Sequence, residues 1–171
     1  MNMAVLVTRL FFGLGIAAHG TQKLFGWFGG HGLDGTGGFF ETIGFRPGRL
    51  FAAAAALGET VGGVLLAIGL FGPVGPALMF LVMIVAASIH VKNGFFATNN
   101  GIELPMLYAL GALALAFTGP GAYSFDQLFD LRWLSNEQNA SLAIGIAIGV
   151  GAVMILIRHT LVQPTVPAAS R

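Results

Sequence analysis

The 171-residue chain contains no cysteine. That excludes disulfides, thiolate metal ligands, iron–sulfur ligation and dithiol redox chemistry within this polypeptide. Charge is nearly as scarce: 9% of the residues are Asp, Glu, Lys or Arg, where a soluble domain carries about 25%. With a net charge of +1 and no cluster of Lys and Arg, the chain offers no basic surface to nucleic acid. What fills the sequence instead is apolar, with 56% hydrophobic residues and a mean hydropathy of +0.82. A soluble helical core would need polar faces, and the long apolar runs lack them.

Five such runs stand out, at residues 3–25, 50–71, 76–91, 103–118 and 140–157. Each approaches the roughly 20 apolar residues that a helix needs to cross a hydrocarbon core, the third and fourth being short. The expected fold class is all-α, an integral membrane helical bundle in a lipid bilayer. No basic region precedes the first run and no small-residue cleavage pattern follows it, so it is read as a retained helix and not a cleaved signal. If all five runs span, Lys23, Arg46, Arg49, Lys92, Arg158 and Arg171 share one side, with Arg132 and Arg9 on the other. The excess of positive charge then puts the C-terminus in the cytoplasm.

Two long connections join the runs. The first, residues 26–48, is dense in glycine and then carries Phe39, Phe40, Ile43 and Phe45 around Glu41. This spacing predicts a short amphipathic helix in the interface or folded under the bundle. A glycine-rich run cradles phosphate where it follows a strand and opens a helix, but no strand precedes this one. The second connection, residues 119–139, opens on the stop signal Gly119-Pro120-Gly121 and continues with Asp126, Asp130, Arg132 and Trp133. It reads as an interfacial segment, more structural than chemical. Beyond Thr160, a tail with Pro164 and Pro167 is expected to be disordered. Gly58 with Gly62, and Gly145 with Gly149, are GxxxG pairs that permit close helix packing. For the last run the neighbour could be its own bundle, a second copy of the chain or another subunit.

Ionisable residues inside hydrocarbon are costly, so they mark either a function or a specific buried pairing. At about 1.5 Å of rise per residue, Lys23 lies about 3 Å inside its helix end, His19 about 9 Å and Glu59 about 14 Å, with His90 and Glu103 at the same rim. These five gather in one half of the membrane. At about 100° per residue, Arg9, His19 and Lys23 fall within roughly 80° of arc, which predicts one inward polar stripe. Glu59 has no cation on its own helix, so its expected partner is Lys23 or His19 across the bundle. The candidate catalytic groups are therefore His19 and Glu59, and Arg9, Lys23, His90 and Glu103 are candidate ligand-binding or electrostatic groups. The competing reading makes the Glu59 contact a packing device, with His90, Lys92 and Glu103 as ordinary residues in water. His19 and His90 raise a bis-imidazole haem, but a stagger of roughly two turns argues against it, and no haem or metal is expected.

One ordered series remains: Arg9, then His19-Gly20-x-x-Lys23-Leu24, Phe39-Phe40-Glu41, Gly58-Glu59-x-x-Gly62-Gly63 with Gly69-Leu70, His90 with Asn93-Gly94-Phe95-Phe96, Glu103 and Gly119-Pro120-Gly121. It resembles the DoxX family of small bacterial membrane proteins. The resemblance implies a four-helix core over residues 1–130. Residues 131–160 then add a connection and a fifth transmembrane helix, and residues 161–171 a tail. It further implies a multi-pass protein of the bacterial inner membrane. Relatives are linked to a thiosulfate:quinone oxidoreductase, and to an oxidoreductase complex that counters oxidative stress with a superoxide dismutase and a sulfurtransferase. Without cysteines, any sulfur relay would reside in such a partner or proceed noncovalently.

Three functions follow as expectations. The first is a membrane subunit of a redox complex whose polar pocket meets a quinone or a small anion, with Phe12, Phe25 and Trp27 walling the ring. The second is a non-catalytic anchor or assembly protein for soluble oxidoreductase or sulfurtransferase partners. The third is a small transporter or lipid-binding bundle. A pocket open to lipid favours the first, a closed ion pair the second, and access from both sides the third.

Overall fold

A computed structural model describes residues 2–161. The predicted disordered tail, Leu161 apart, lies outside the described residues, as does Arg171. Among the described residues seven α-helices follow one another: α1 (Asn2–Phe25), α2 (Gly32–Thr42), α3 (Gly48–Ile68), α4 (Val74–His90), α5 (Glu103–Thr118), α6 (Phe125–Leu128) and α7 (Glu137–Leu161). The described residues hold no strand. Four helices among the described residues are long and apolar enough to cross a membrane: α1, α3, α4 with the turn that follows it, and α7. The third apolar run is thus longer than predicted, extending from Val74 to Asn93. The fourth stays short. Its helix, α5, has 16 residues, about 24 Å of axis against a core about 30 Å thick.

Local chemistry sets the helix ends. Gly69, at φ 67°, closes α3 by donating its N–H to the carbonyls of Leu65 and Leu66. Proline stands immediately before α3 (Pro47) and α4 (Pro73), where no helical N–H is lost. The predicted amphipathic helix is α2, folded against α3 and α1 with Thr36 and Gly37 buried. Phe45, just beyond it, is also buried and packs on Phe40 and Phe51.

The closest helix pair is α1 with α3. A Cβ added to Gly13 would lie 2.6 Å from Ala67 N, and one added to Gly20 would lie 2.6 Å from Thr60 N, so both positions require glycine. Gly62 meets α4, where an added Cβ would lie 2.8 Å from Leu78 Cβ. The second predicted GxxxG pair behaves differently: nothing lies within 4 Å of a Cβ on Gly145 or Gly149. The face that α7 buries carries Ala140, Ile144, Ala147 and Gly151, and at about 100° per residue both glycines point away from it. Ile16, Leu66, Met79, Met83, Ala112 and Leu115 form the main core.

Exposed aromatics collect at the two ends, Phe25, Trp27, Phe28, Phe95 and Phe96 at one, and Phe71, Tyr123, Phe129 and Trp133 at the other. Such belts sit at the two interfaces of a bilayer.

Candidate functional site

Gly20 packs on the backbone of Ala56 and Thr60, and Lys23 follows three residues later. This register brings the Lys23 ammonium onto Glu59, where Nζ donates to Oε1 in an ion pair. Glu59 therefore sits level with the last turn of α1. Counting inward from Leu50 placed it deeper, because α3 starts at Gly48 and its first turns run past the end of α1 to meet α2. The Glu59 side chain is 2% exposed and that of Lys23 29%. Its second carboxylate oxygen, Oε2, is buried with no hydrogen-bond partner among the described residues. A buried carboxylate oxygen without a donor is costly, and it is rarely left so in a packed interior.

Beside it lies a cavity of about 590 Å³. Its floor is α4, from Leu81 through Val85 to His90, its walls are Phe51, Ala54 and Ala55 of α3 and Val150 and Met154 of α7, and Phe39 and Phe40 of α2 lie across one end. The polar lining is sparse: Lys23, Glu59, Gln22, His31, Thr36 and His90. An apolar cavity of this size with a few convergent polar groups is the usual form of a small-molecule site.

The six candidate residues part company here. Lys23, Glu59 and His90 line the cavity. His90 Nδ1 lies 2.8 Å from the carbonyl oxygen of Asn100; since that oxygen only accepts, Nδ1 carries the proton and the ring is pinned to the loop before α5. Glu103 is exposed and serves the same loop, its Oε2 accepting from Ala97 N at 2.8 Å. His19 is exposed as well. Its Nδ1 lies 3.1 Å from Gln22 Oε1, and its ring stands edge-on to Tyr108. The inward stripe is thus wrong for His19. The buried face of α1 carries Arg9, Gly13, Ile16, Ala17 and Gly20, and His19 is about 100° from its middle, whereas Lys23 is close enough to reach in. The aromatic walls also differ, since Phe12 packs on Tyr108 and Gly111 and the cavity takes its rings from α2 and α3.

Arg9 lies at the opposite end of α1, about 21 Å along the axis from Lys23. Its guanidinium packs on Gly69 and donates through Nη2 to the carbonyl of Tyr123. At the same joint the buried Asp126 accepts from Phe71 N at 2.8 Å and Gly72 N at 2.6 Å, which makes it the structural residue the sequence suggested. Arg9 and the cavity therefore cannot touch one headgroup.

Sequence reasoning missed Gln22, His31 and Thr36 as lining, and also Arg158. Arg158 Nε donates to the Ile43 carbonyl at 2.9 Å and Nη1 to the Ser88 carbonyl at 3.1 Å, tying α7 to the end of α2 and to α4. A lone arginine at the end of an apolar helix signals that role only through its distance from water.

No curated protein and no solved structure matches this chain. The DoxX family model matches residues 4–93, just over half of the chain, and takes in α1 to α4 with Lys23, Glu59 and His90, but not the α7 wall of the cavity. This multi-pass membrane protein belongs to the DoxX family.

Proposed function

We propose that the protein is a subunit of a redox-associated complex in the bacterial inner membrane and that its cavity binds a quinone. The observation that carries this reading is Glu59 Oε2, buried and without a donor at the end of an apolar cavity of about 590 Å³. A hydroquinone O–H donates to that oxygen, and the Lys23 ammonium donates to a carbonyl of the oxidised ring. The pairing of Lys23 with Glu59 leaves no net positive charge in the cavity, which disfavours a small anion against a neutral ring. The same chemistry reaches two redox states of one ligand.

Reduction of a quinone takes up two electrons and two protons. Glu59 passes protons to the ring oxygen and is resupplied from the rim, where His31 and His90 line the cavity. The electrons come from a carrier on a soluble partner, an oxidoreductase or sulfurtransferase, since this chain has no thiol. Lys23, Arg46, Arg49, Lys92 and Arg158 at the cavity end, against Arg9 and Arg132 at the other, support a cytoplasmic cavity and C-terminus.

The closed Lys23–Glu59 pair supports a second reading, a non-catalytic anchor in which the pair fixes packing. Gentle purification of wild type and Glu59→Gln from native membranes, followed by mass spectrometry, separates the two. Under the first reading the wild type retains a quinone and the variant loses it. If neither retains a small molecule and both retain the same partners, the anchor is the better account.

A further inference from the structure

We infer that the ligand enters the cavity sideways from the bilayer and that its hydrophobic tail stays in the gap between α3 and α7. This rests on the quinone reading of the Glu59 end and adds to it how the site is loaded and which quinones it accepts: those carrying a long tail.

The gap follows from the packing. Both α3 and α7 lie against α4, but they make scarcely any contact with each other. The cavity occupies the space between them, above Leu81, Val82 and Val85 of α4. The edges of this gap are apolar, and of the six exposed lining residues two stand on it, Ala54 on α3 and Val150 on α7, while Gly29, His31, Gly35 and Phe39 lie at the α2 end. An exposed apolar residue on a helix long enough to span faces acyl chains, so the cavity opens where Ala54 and Val150 stand. Toward water the α3–α7 gap is bridged, and the exposed polar lining there, His31, admits water and protons but offers an apolar tail no sheltered path. There α2 packs on α3, and Arg158 reaches from α7 to the Ile43 carbonyl at the end of α2 and to Ser88 of α4. The polar groups that hold a headgroup, Lys23 and Glu59, lie inside the opening. A molecule with a polar ring and a long apolar tail fits this layout ring first.

Lipid tails and a protein groove are similarly apolar, so the tail gains little affinity by leaving the bilayer. The groove acts as a selector by space. The test uses nanodiscs and two probes, a benzoquinone carrying a decyl tail and the same ring carrying only a methyl group, with affinities expressed per membrane mole fraction. The wild type should bind both comparably. Ala54→Trp should weaken the tailed probe by about tenfold or more, the effect of overfilling a fitted space, and weaken the methyl probe by clearly less, with an unshifted thermal melt showing that the variant is folded. Val150→Trp should do the same from the α7 side.

Two results overturn the lateral path: a tailed probe excluded from the wild type that binds the methyl probe, or a tailed probe indifferent to both tryptophans. Failure of both probes to bind the wild type sinks the quinone reading itself. Because that failure appears before any variant is made, it is distinguishable from a failure of the lateral path alone.

Discussion

The two ends of the bundle each bury charge, and they use it differently. At one end Asp126 commits both carboxylate oxygens to the backbone of Phe71 and Gly72, Arg9 is packed against Gly69, and the void beside them is about 10 Å³, room for one water at most. At the other end Glu59 gives one oxygen to Lys23, keeps the other buried without a partner among the described residues, and lines a cavity of about 590 Å³. Arg9 also has nitrogens without partners, Nε and Nη1. An unpaired buried polar atom therefore does not by itself mark a ligand site; the volume next to it does. The Arg9 end is a closed joint, and the Glu59 end encloses open space, which is the end proposed to receive a ligand.

The sharpest way to break that contrast is Asp126→Ala. It strips two buried N–H groups of their acceptor and removes an acid whose charge acts on Arg9, so it should cost about 3–5 kcal/mol. Thermal unfolding in detergent would show the loss, while on the proposed function the fraction still folded binds a quinone as the wild type does. A variant that is stable but empty would mean that the joint governs the cavity.

Glu59→Gln should show the reverse pattern. Lys23 is 29% exposed and long enough to turn its ammonium to the rim, which holds the stability cost to about 1 kcal/mol. Quinone affinity should fall by about tenfold or more, the value of a hydrogen bond to a charged acceptor. Equilibrium binding and a melt on the same preparation measure both. A large loss of stability with unchanged affinity would move Glu59 into the structural class with Asp126.

Arg158→Ala acts on the cavity without touching its polar end. Three hydrogen bonds at the foot of α7 disappear, and a loss of about 1–2 kcal/mol is expected. Hydrogen exchange should rise at the end of α2 and in the last turn of α7 and leave α1 unaffected. If exchange rises equally along α1, the wall and the Lys23–Glu59 pair are one unit.

How much of this was legible in the sequence depends on which face a residue occupies. Helix existence follows from apolar length, so α1, α3, α4, α5 and α7 were all readable, as was the short α2 from the spacing of Phe39, Phe40 and Ile43. The Lys23–Glu59 contact was one of two partners that depth and sign allowed, and the backbone approach at Gly20 selects it. Direction was harder. The arc through Arg9, His19 and Lys23 fixes the width of a stripe but not where its centre faces, and it is the buried glycines Gly13 and Gly20 that mark the true inward side. The same ambiguity left the neighbour of Gly145 and Gly149 open, and the fold puts these small residues on the outside of α7. A polar pocket was expected, but its walls were not legible, because the cavity is a space bounded by α2, α3, α4 and α7 and no local pattern encodes a separation between helices.

His19 supplies the smallest expected effect and a decisive one for the site. The sequence paired it with Glu59 as a proton-exchanging group, whereas the fold turns it onto the outer surface of α1 with Gln22 and Tyr108 as neighbours. Replacing it with phenylalanine keeps an aromatic ring edge-on to Tyr108 and removes both ring nitrogens. Quinone affinity should stay within about twofold of wild type, as for other exposed substitutions, and the melting curve should be unchanged. Should His19→Phe empty the site as Glu59→Gln does, the ligand must sit on the α1–α5 surface and not in the cavity, and Glu59 would then act on it only by holding α1 in place. The ratio of the two affinities therefore decides between an interior site and a surface one, using a pair of residues that the α1 helix and the Gly20 contact hold within two turns of each other.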